Sequence, residues 1–377
     1  MLYTCSPDCT DPRHRHAAAA RSAHLKAPSL RAAASRVVAR GRRGRTQVVD
    51  LHCHYLNPDV SAKTAHLDAA QHDPAAIFAD DLTRVTNARQ LKIRTPKLTR
   101  VEQRLKDMDR MGVDVQAVCP APSQFFYFAP PDEGAQLARE VNEGIAKLVA
   151  QTPERFVGLG SVPLQDAALA VRELDHAVNA LGLRGVEICT NVNGRNLTDT
   201  ELGLEKFFAR AEELGVLLFL HPTGYTQADR LTHHYFNNVI GNPLDSTVAV
   251  SHLIFDGTMA RHPKLKVLVA HGGGFVAHYW ARMDHAWRAR PDCRTVIKRP
   301  PSKYLEKFFF DTVTHDPQLL KHLVERFGAE QVVLGTDYPY DMGEEDPLGL
   351  LAQVKRLPKA QRDLIAGGNA ARLLRLK

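Results

Sequence analysis

Two histidines one residue apart, His52 and His54, flank Cys53 in the run QVVDLHCHY. In an extended chain alternate side chains share a face, so both imidazoles turn to one side and Cys53 to the other. Such a pair can grip a metal ion, although alone it is a weak signal, since histidines at this spacing are often ordinary polar residues. Three more residues sit at the ends of apolar runs: His221 closes VLLFLH, His271 follows VLVA and opens HGGG, and Asp337 closes QVVLGTD. Taken singly, His221 reads as a satisfied core histidine and Asp337 as a cap or turn residue. Taken together, His52, His54, His221 and Asp337 form a mixed nitrogen and oxygen set. It suits one divalent metal ion, zinc first, with manganese or iron as alternatives, and it leaves a position open for water or substrate. His271 could be a fifth ligand. It is better read as a general acid or base, because neutral imidazole titrates near working pH and four other groups already satisfy one metal.

The scaffold has to bring these distant residues together. Apolar, β-branched runs occur at 47–52, 113–119, 155–162, 184–190, 216–221, 266–271, 307–312 and 331–337. Amphipathic stretches lie between them at 133–151, 165–181, 201–214, 275–290 and 316–328. Strands alternating with helices are the mark of parallel βαβ units, and near-continuous apolar strands suit a sheet buried on both faces. An open doubly wound sheet would alternate in the same way. Eight runs with the reactive residues at their C-terminal ends favour a (β/α)8 barrel, an α/β fold that gathers those ends into one mouth. Long connections at 55–98 and 222–244 are expected as loops over that mouth. In the run 184–190, Glu187, the one internal charge, reads as supporting or structural.

Composition narrows the class further. The 377 residues are 44% hydrophobic and 24% charged, as in soluble globular proteins, which excludes a wholly disordered or collagen-like chain. The net charge of +7 draws heavily on residues 1–47, rich in Ala, Arg and Ser, which read as a poorly ordered basic arm or a leader resembling a transit peptide, ahead of a folded unit at 48–377. Cys5, Cys9, His14 and His16 could make a small zinc site there, but no finger helix follows. No base-reading motif accompanies the charge and no apolar run is long enough to span a bilayer, so neither nucleic acid nor membrane is expected as a partner, and the default compartment is the cytoplasm. The six cysteines lack framework spacing and are expected as free thiols.

The motifs VDLHCHY, MDRMGVDVQAVCPAP, VLLFLHPTG, VLVAHGGG, ARMDHAWRAR and VVLGTDYPYDMGE, with GGNAARLLRL at the end, resemble in order the decarboxylase branch of the amidohydrolase superfamily from about residue 48 to 374. That resemblance implies the amidohydrolase type of barrel, with His52, His54, His221 and Asp337 as metal ligands and His271 as the histidine that works on water or substrate. It further implies that Arg282 reaches a substrate carboxylate across a homodimer interface, with Arg290 on the same helix as a second candidate. Tyr340, beside the Asp337 loop, could pack against a planar substrate or serve as a structural aromatic. The resemblance implies a further substrate arginine after the first strand, where RVTNARQLKIRTPK offers Arg84, Arg89 and Arg94 without a clear match. The implied activity is metal-dependent, non-oxidative decarboxylation of a conjugated or aromatic acid, with His271 and Asp337 expected as the catalytic pair that manages protons while carbon dioxide leaves. The H-x-H pair, in place of the E-x-H of several members, favours 2-amino-3-carboxymuconate 6-semialdehyde over carboxyvanillates or resorcylates. A hydrolase or hydratase on the same metal is the alternative, and a silent scaffold barrel would show a broken ligand set.

Overall fold

The computed structural model describes residues 46–376. The basic arm expected at 1–47, and the cysteine and histidine cluster within it, lie outside the described residues except for Thr46 and Gln47. Eight parallel strands form the central element: β1 (Val49–Tyr55), β2 (Val115–Pro120), β3 (Phe156–Gly158), β4 (Gly185–Cys189), β5 (Leu217–His221), β6 (Lys266–Val269), β7 (Phe309–Asp311) and β8 (Val332–Val333). Strands β1 to β3 pair in order, as do β4 to β8. Two seams close the ring. Gly160 N donates to Gly185 O at 2.9 Å between β3 and β4, and Leu51 N donates to Leu334 O at 2.9 Å between β8 and β1. The sheet is therefore the eight-stranded barrel expected from the alternating pattern, with helices between successive strands.

One buried cluster takes residues from seven of the strands, among them Leu51, Ala117, Val157, Phe219, Leu268 and Val333, and fills the barrel's interior. Ala370, Leu373 and Leu374 of the C-terminal helix (Asn369–Leu373) and its cap plug one end of it. In β1 the register shifts between Asp50 and Cys53. Such a bulge re-aims side chains, and here Val49 and Leu51 belong to the inner cluster while His52 and His54 both reach the site at the mouth. Behind β1, Asp50 accepts from Gln116 Nε2 at 3.0 Å and Thr336 Oγ1 at 2.7 Å, and buried Arg104 donates to Gln116 Oε1 at 3.0 Å and to the His54 carbonyl. This network ties β1, β2 and the segment after β8 into one rigid wall.

The connection at 55–98 is not the loop expected from the sequence. It carries helices at Pro58–Lys63, Pro74–Ile77 and Asp81–Thr99. Their starts are readable afterwards: Asn57, Asp73 and Asp80 cap them, the first two with proline at the first helical position. The long helix escapes a periodicity search because it buries only Thr83 and Leu98 and leaves Leu82, Val85, Leu91 and Ile93 exposed. The 222–244 segment packs against it, with Asp80 N donating to Thr232 O at 3.0 Å and Asn237 Nδ2 to Pro74 O at 2.8 Å. Among the described residues no helix is long and apolar enough to cross a membrane, and Cys53, Cys119, Cys189 and Cys293 are free.

Candidate metal centre

The C-terminal strand ends deliver the reactive side chains to one point. His52 and His54 lie within β1 and His221 is the last residue of β5. His271 and Asp337 lie beyond β6 and β8 rather than on them, each with left-handed backbone, φ 56° and 57°. For bulky or charged residues that conformation is uncommon, and here it turns both side chains back toward the axis. Asp337 Oδ1 lies 3.3 Å from His52 Nε2 and 3.2 Å from His54 Nε2, and its Oδ2 lies 3.6 Å from His271 Nε2. The His54 and His221 rings stand 4.8 Å apart, centroid to centroid, and the His221 and His271 rings 5.2 Å. Potential ligand atoms of His52, His221, His271 and Asp337 all fall within 4.8 Å of one another, as do those of His54, Glu187 and His221.

The donor set fits a divalent ion on an independent count. His52 Nε2, His54 Nε2, both nitrogens of His221, His271 Nδ1, Asp337 Oδ1 and both oxygens of Glu187 are buried without a hydrogen-bond partner. Buried polar atoms are ordinarily paired, so this concentration around one point marks a place where a cation would supply the missing interaction. Burial opposes charge on Asp337, yet His52, His271 and His54 outweigh it and hold its carboxyl well below the usual range. Burial likewise opposes the His52 imidazolium, but Asp337 and Asp311 prevail and push its pKa up to about 10. Burial dominates at His221, with the neighbouring imidazoles adding to it, and drives it well below the ordinary histidine value. Burial also raises Glu187 well above the carboxylate range.

Asp311, at the end of β7, was not singled out in the sequence. Its Oδ2 takes His52 Nδ1 at 2.6 Å and the backbone N of His271 at 2.9 Å, while Oδ1 takes Gly272 N at 2.7 Å. One carboxylate thus orients a ring of β1 and the turn that carries His271. Gly335 lets β8 approach this pair: a Cβ there would stand 2.8 Å from the His52 Cβ and 3.0 Å from the Asp311 Cβ. Gly335→Ala is therefore expected to cost about 1–3 kcal/mol and to weaken ion binding. Thermal unfolding and metal titration check this, and a variant equal to wild type in both would show that the wall yields freely.

Tyr340 presents its ring edge-on to His54, 5.2 Å between centroids, and Arg94 Cζ lies 5.0 Å from the Tyr340 centroid. Arg94 Nε is buried without a partner, whereas Arg84 is exposed and spent on the Ala79 and Ile77 carbonyls, and Arg89 is exposed. Tyr235, unremarked in the sequence, has its phenol pushed up by burial first and then by the charges of Asp341, Asp337 and Asp73, with Arg94 opposing. Arg282 and Arg290 are not brought to the cluster within this chain. Arg282 is exposed on the helix Val276–Ala289, and Arg290, at its end, forks onto Asp292 at 2.8 and 3.0 Å. A cavity of about 800 Å³ opens beside Cys189 and Thr223, walled by Phe125, Tyr127 and the stacked pair His72 and Phe128.

A closed parallel barrel whose mouth concentrates unpaired imidazoles and carboxylates has the architecture of a metal-dependent barrel enzyme. The amidohydrolase family matches residues 49–376, and the chain belongs to that family. It is 38% identical over 274 residues to a 2-amino-3-carboxymuconate-6-semialdehyde decarboxylase of Dictyostelium discoideum, covering 72% of this chain and 76% of that one. A protein of the same name from Caenorhabditis elegans is 27% identical over 382 residues, covering 88% and 94%. Among solved structures, the 5-carboxyvanillate decarboxylase of Sphingomonas paucimobilis superposes with a TM-score of 0.78 at 25% identity, covering 88% of this chain and 99% of that one.

Proposed function

We propose that the protein is a metal-dependent carboxy-lyase that removes carbon dioxide from a conjugated or aromatic acid, with 2-amino-3-carboxymuconate 6-semialdehyde as the favoured substrate. The observation that carries this reading is the juxtaposition of an unsatisfied His and Asp cluster with an unpaired, partly buried Arg94 stacked over Tyr340. The 38% identity to a decarboxylase of that substrate supports the choice within the class. His52, His54, His221 and Asp337 would hold the ion, and their mixed nitrogen and oxygen character favours zinc over manganese or iron.

When bound, the ion would act as a Lewis acid that stabilises the electron density developing on the conjugated substrate. Arg94 grips a carboxylate by parallel hydrogen bonds while Tyr340 packs against the planar body. His271, with Nδ1 unbonded and Nε2 beside Asp337, delivers a proton to the carbon that gives up carbon dioxide. The electron pair of the broken carbon–carbon bond stays on that carbon and is satisfied by this proton. Arg282, exposed on its helix, is assigned to the site of a partner copy in a homodimer; Arg290, already held by Asp292, is the weaker candidate.

Carbon dioxide release from a small panel of conjugated and aromatic acids tests the reading, and hydrolysis or hydration without carbon dioxide would replace it. Arg94→Ala is expected to lower kcat/KM by about 10- to 150-fold through loss of a charged hydrogen bond, mostly in KM. Donation across subunits has its own test. Mixing Arg282→Ala with His271→Asn protein should restore roughly a quarter of wild-type turnover, because half of randomly exchanged dimers then hold one complete site. No recovery on mixing would place Arg282 outside the site.

A further inference from the structure

A neutral imidazole that offers one nitrogen to a metal carries its proton on the other and needs an acceptor for it. Two of the three histidines assigned to the ion have one in plain sight. His52 Nδ1 meets Asp311 Oδ2 at 2.6 Å, and His54 Nδ1 meets the Pro120 carbonyl at 3.0 Å. His221 has none, since neither of its nitrogens is hydrogen-bonded. The acceptor that faces it is Glu187 Oε1, 3.8 Å from His221 Nδ1 and 3.7 Å from the already satisfied Nδ1 of His54.

Glu187 stands in the middle of β4, paired with Phe219 of β5 two residues before His221. Its side chain is fully buried where the other strands supply Leu51, Ala117 and Phe219, and neither oxygen has a partner. An unpaired carboxylate in such a place is costly and is retained only where something compensates it. A ring N–H of His221 and the nearby cation together would do so.

We propose that Glu187 is a positioning residue of the metal centre: it accepts the Nδ1 proton of His221, fixes that ring's tautomer and orientation, and so keeps the Nε2 lone pair available to the ion. Each imidazole then has its own acceptor, from β7 for His52, from the end of β2 for His54 and from β4 for His221. The inference rests on the reading of His221 as a ligand given above.

The test measures binding of cobalt(II) to the metal-stripped protein, by competition with a chromophoric chelator and by the visible spectrum of the loaded site. Glu187→Leu is expected to weaken binding by about 10- to 100-fold and to change the spectrum. Glu187→Gln, which keeps an acceptor oxygen, should recover most of that loss. In a His221→Ala background, Glu187→Leu should add less than about twofold, because there is no ring left to orient. Cobalt affinity and spectrum unchanged in Glu187→Leu would overturn the proposal, as would an undiminished loss in the His221→Ala background. Nitrogen-15 spectra of histidine-labelled, zinc-loaded wild type give a reading that needs no Glu187 variant to fold: His221 should carry its proton on Nδ1, and a proton on Nε2 overturns the assignment. A wild-type protein that takes up no ion would instead overturn the metal-site reading itself.

Discussion

Asp337→Ala is expected to abolish ion uptake and to cut turnover by at least about a thousandfold, the scale lost when a principal electrostatic stabiliser is removed from a buried site. Among the described residues, Asp337 is the carboxylate that lies within 3.6 Å of His52, His54 and His271 together. Its loss would also remove the anionic donor of the assigned set, leaving only neutral imidazoles, which coordinate a divalent ion without offsetting its charge. The protein itself should remain folded, because the barrel seam between β8 and β1 is made by backbone bonds such as Leu51 N to Leu334 O. Metal analysis and calorimetric unfolding check this directly. An ion present at 100 times its dissociation constant should stabilise wild type by about 2.7 kcal/mol and the variant by nothing measurable. A variant that still gains stability from the ion would demote Asp337 from the ligand set.

His271→Ala should behave differently, losing roughly 10²- to 10⁴-fold in turnover while keeping the ion. The geometry makes this a sharp experiment, since His271 stands close enough to His52, His221 and Asp337 to be counted with them as a ligand. Its side chain is nevertheless 18% exposed where Asp337 and His52 are nearly sealed. A group that must meet substrate needs that access, whereas a ligand needs only the ion. Retained metal with lost activity assigns His271 to proton transfer. Loss of both makes it a ligand and leaves the proton to another group near the mouth.

Much of the architecture was legible in the chain. Strands buried on both faces read as apolar runs, and the runs at 216–221 and 266–271 correspond to β5 and β6 almost residue for residue. Helices with one apolar face were equally plain, as at Pro131–Gln151 and Pro317–Phe327. The segment 55–98 was opaque because its long helix lies on the surface with apolar residues pointing outward, so no stripe betrays it. Only its caps at Asn57, Asp73 and Asp80 announced it.

The site divides along the same line. Histidines ending apolar strands are chemically conspicuous, so the sequence by itself determined which imidazoles could gather and, through strand order, that they would meet at one mouth. Glu187 stands out locally as the one charge inside GVEIC and reads as supporting or structural, whereas Asp311, ending FFFDT, does not stand out, and for neither does the local sequence name a partner. Their meaning lies in partners far along the chain: Asp311 holds a ring 259 positions away, and Glu187 faces histidines of β1 and β5. Choosing Arg94 over Arg84 and Arg89 likewise required seeing which guanidinium was already occupied. Residue type and period follow from the chain's local chemistry, whereas hydrogen-bond partnership and desolvation are properties of closure, and only the closed barrel decides them.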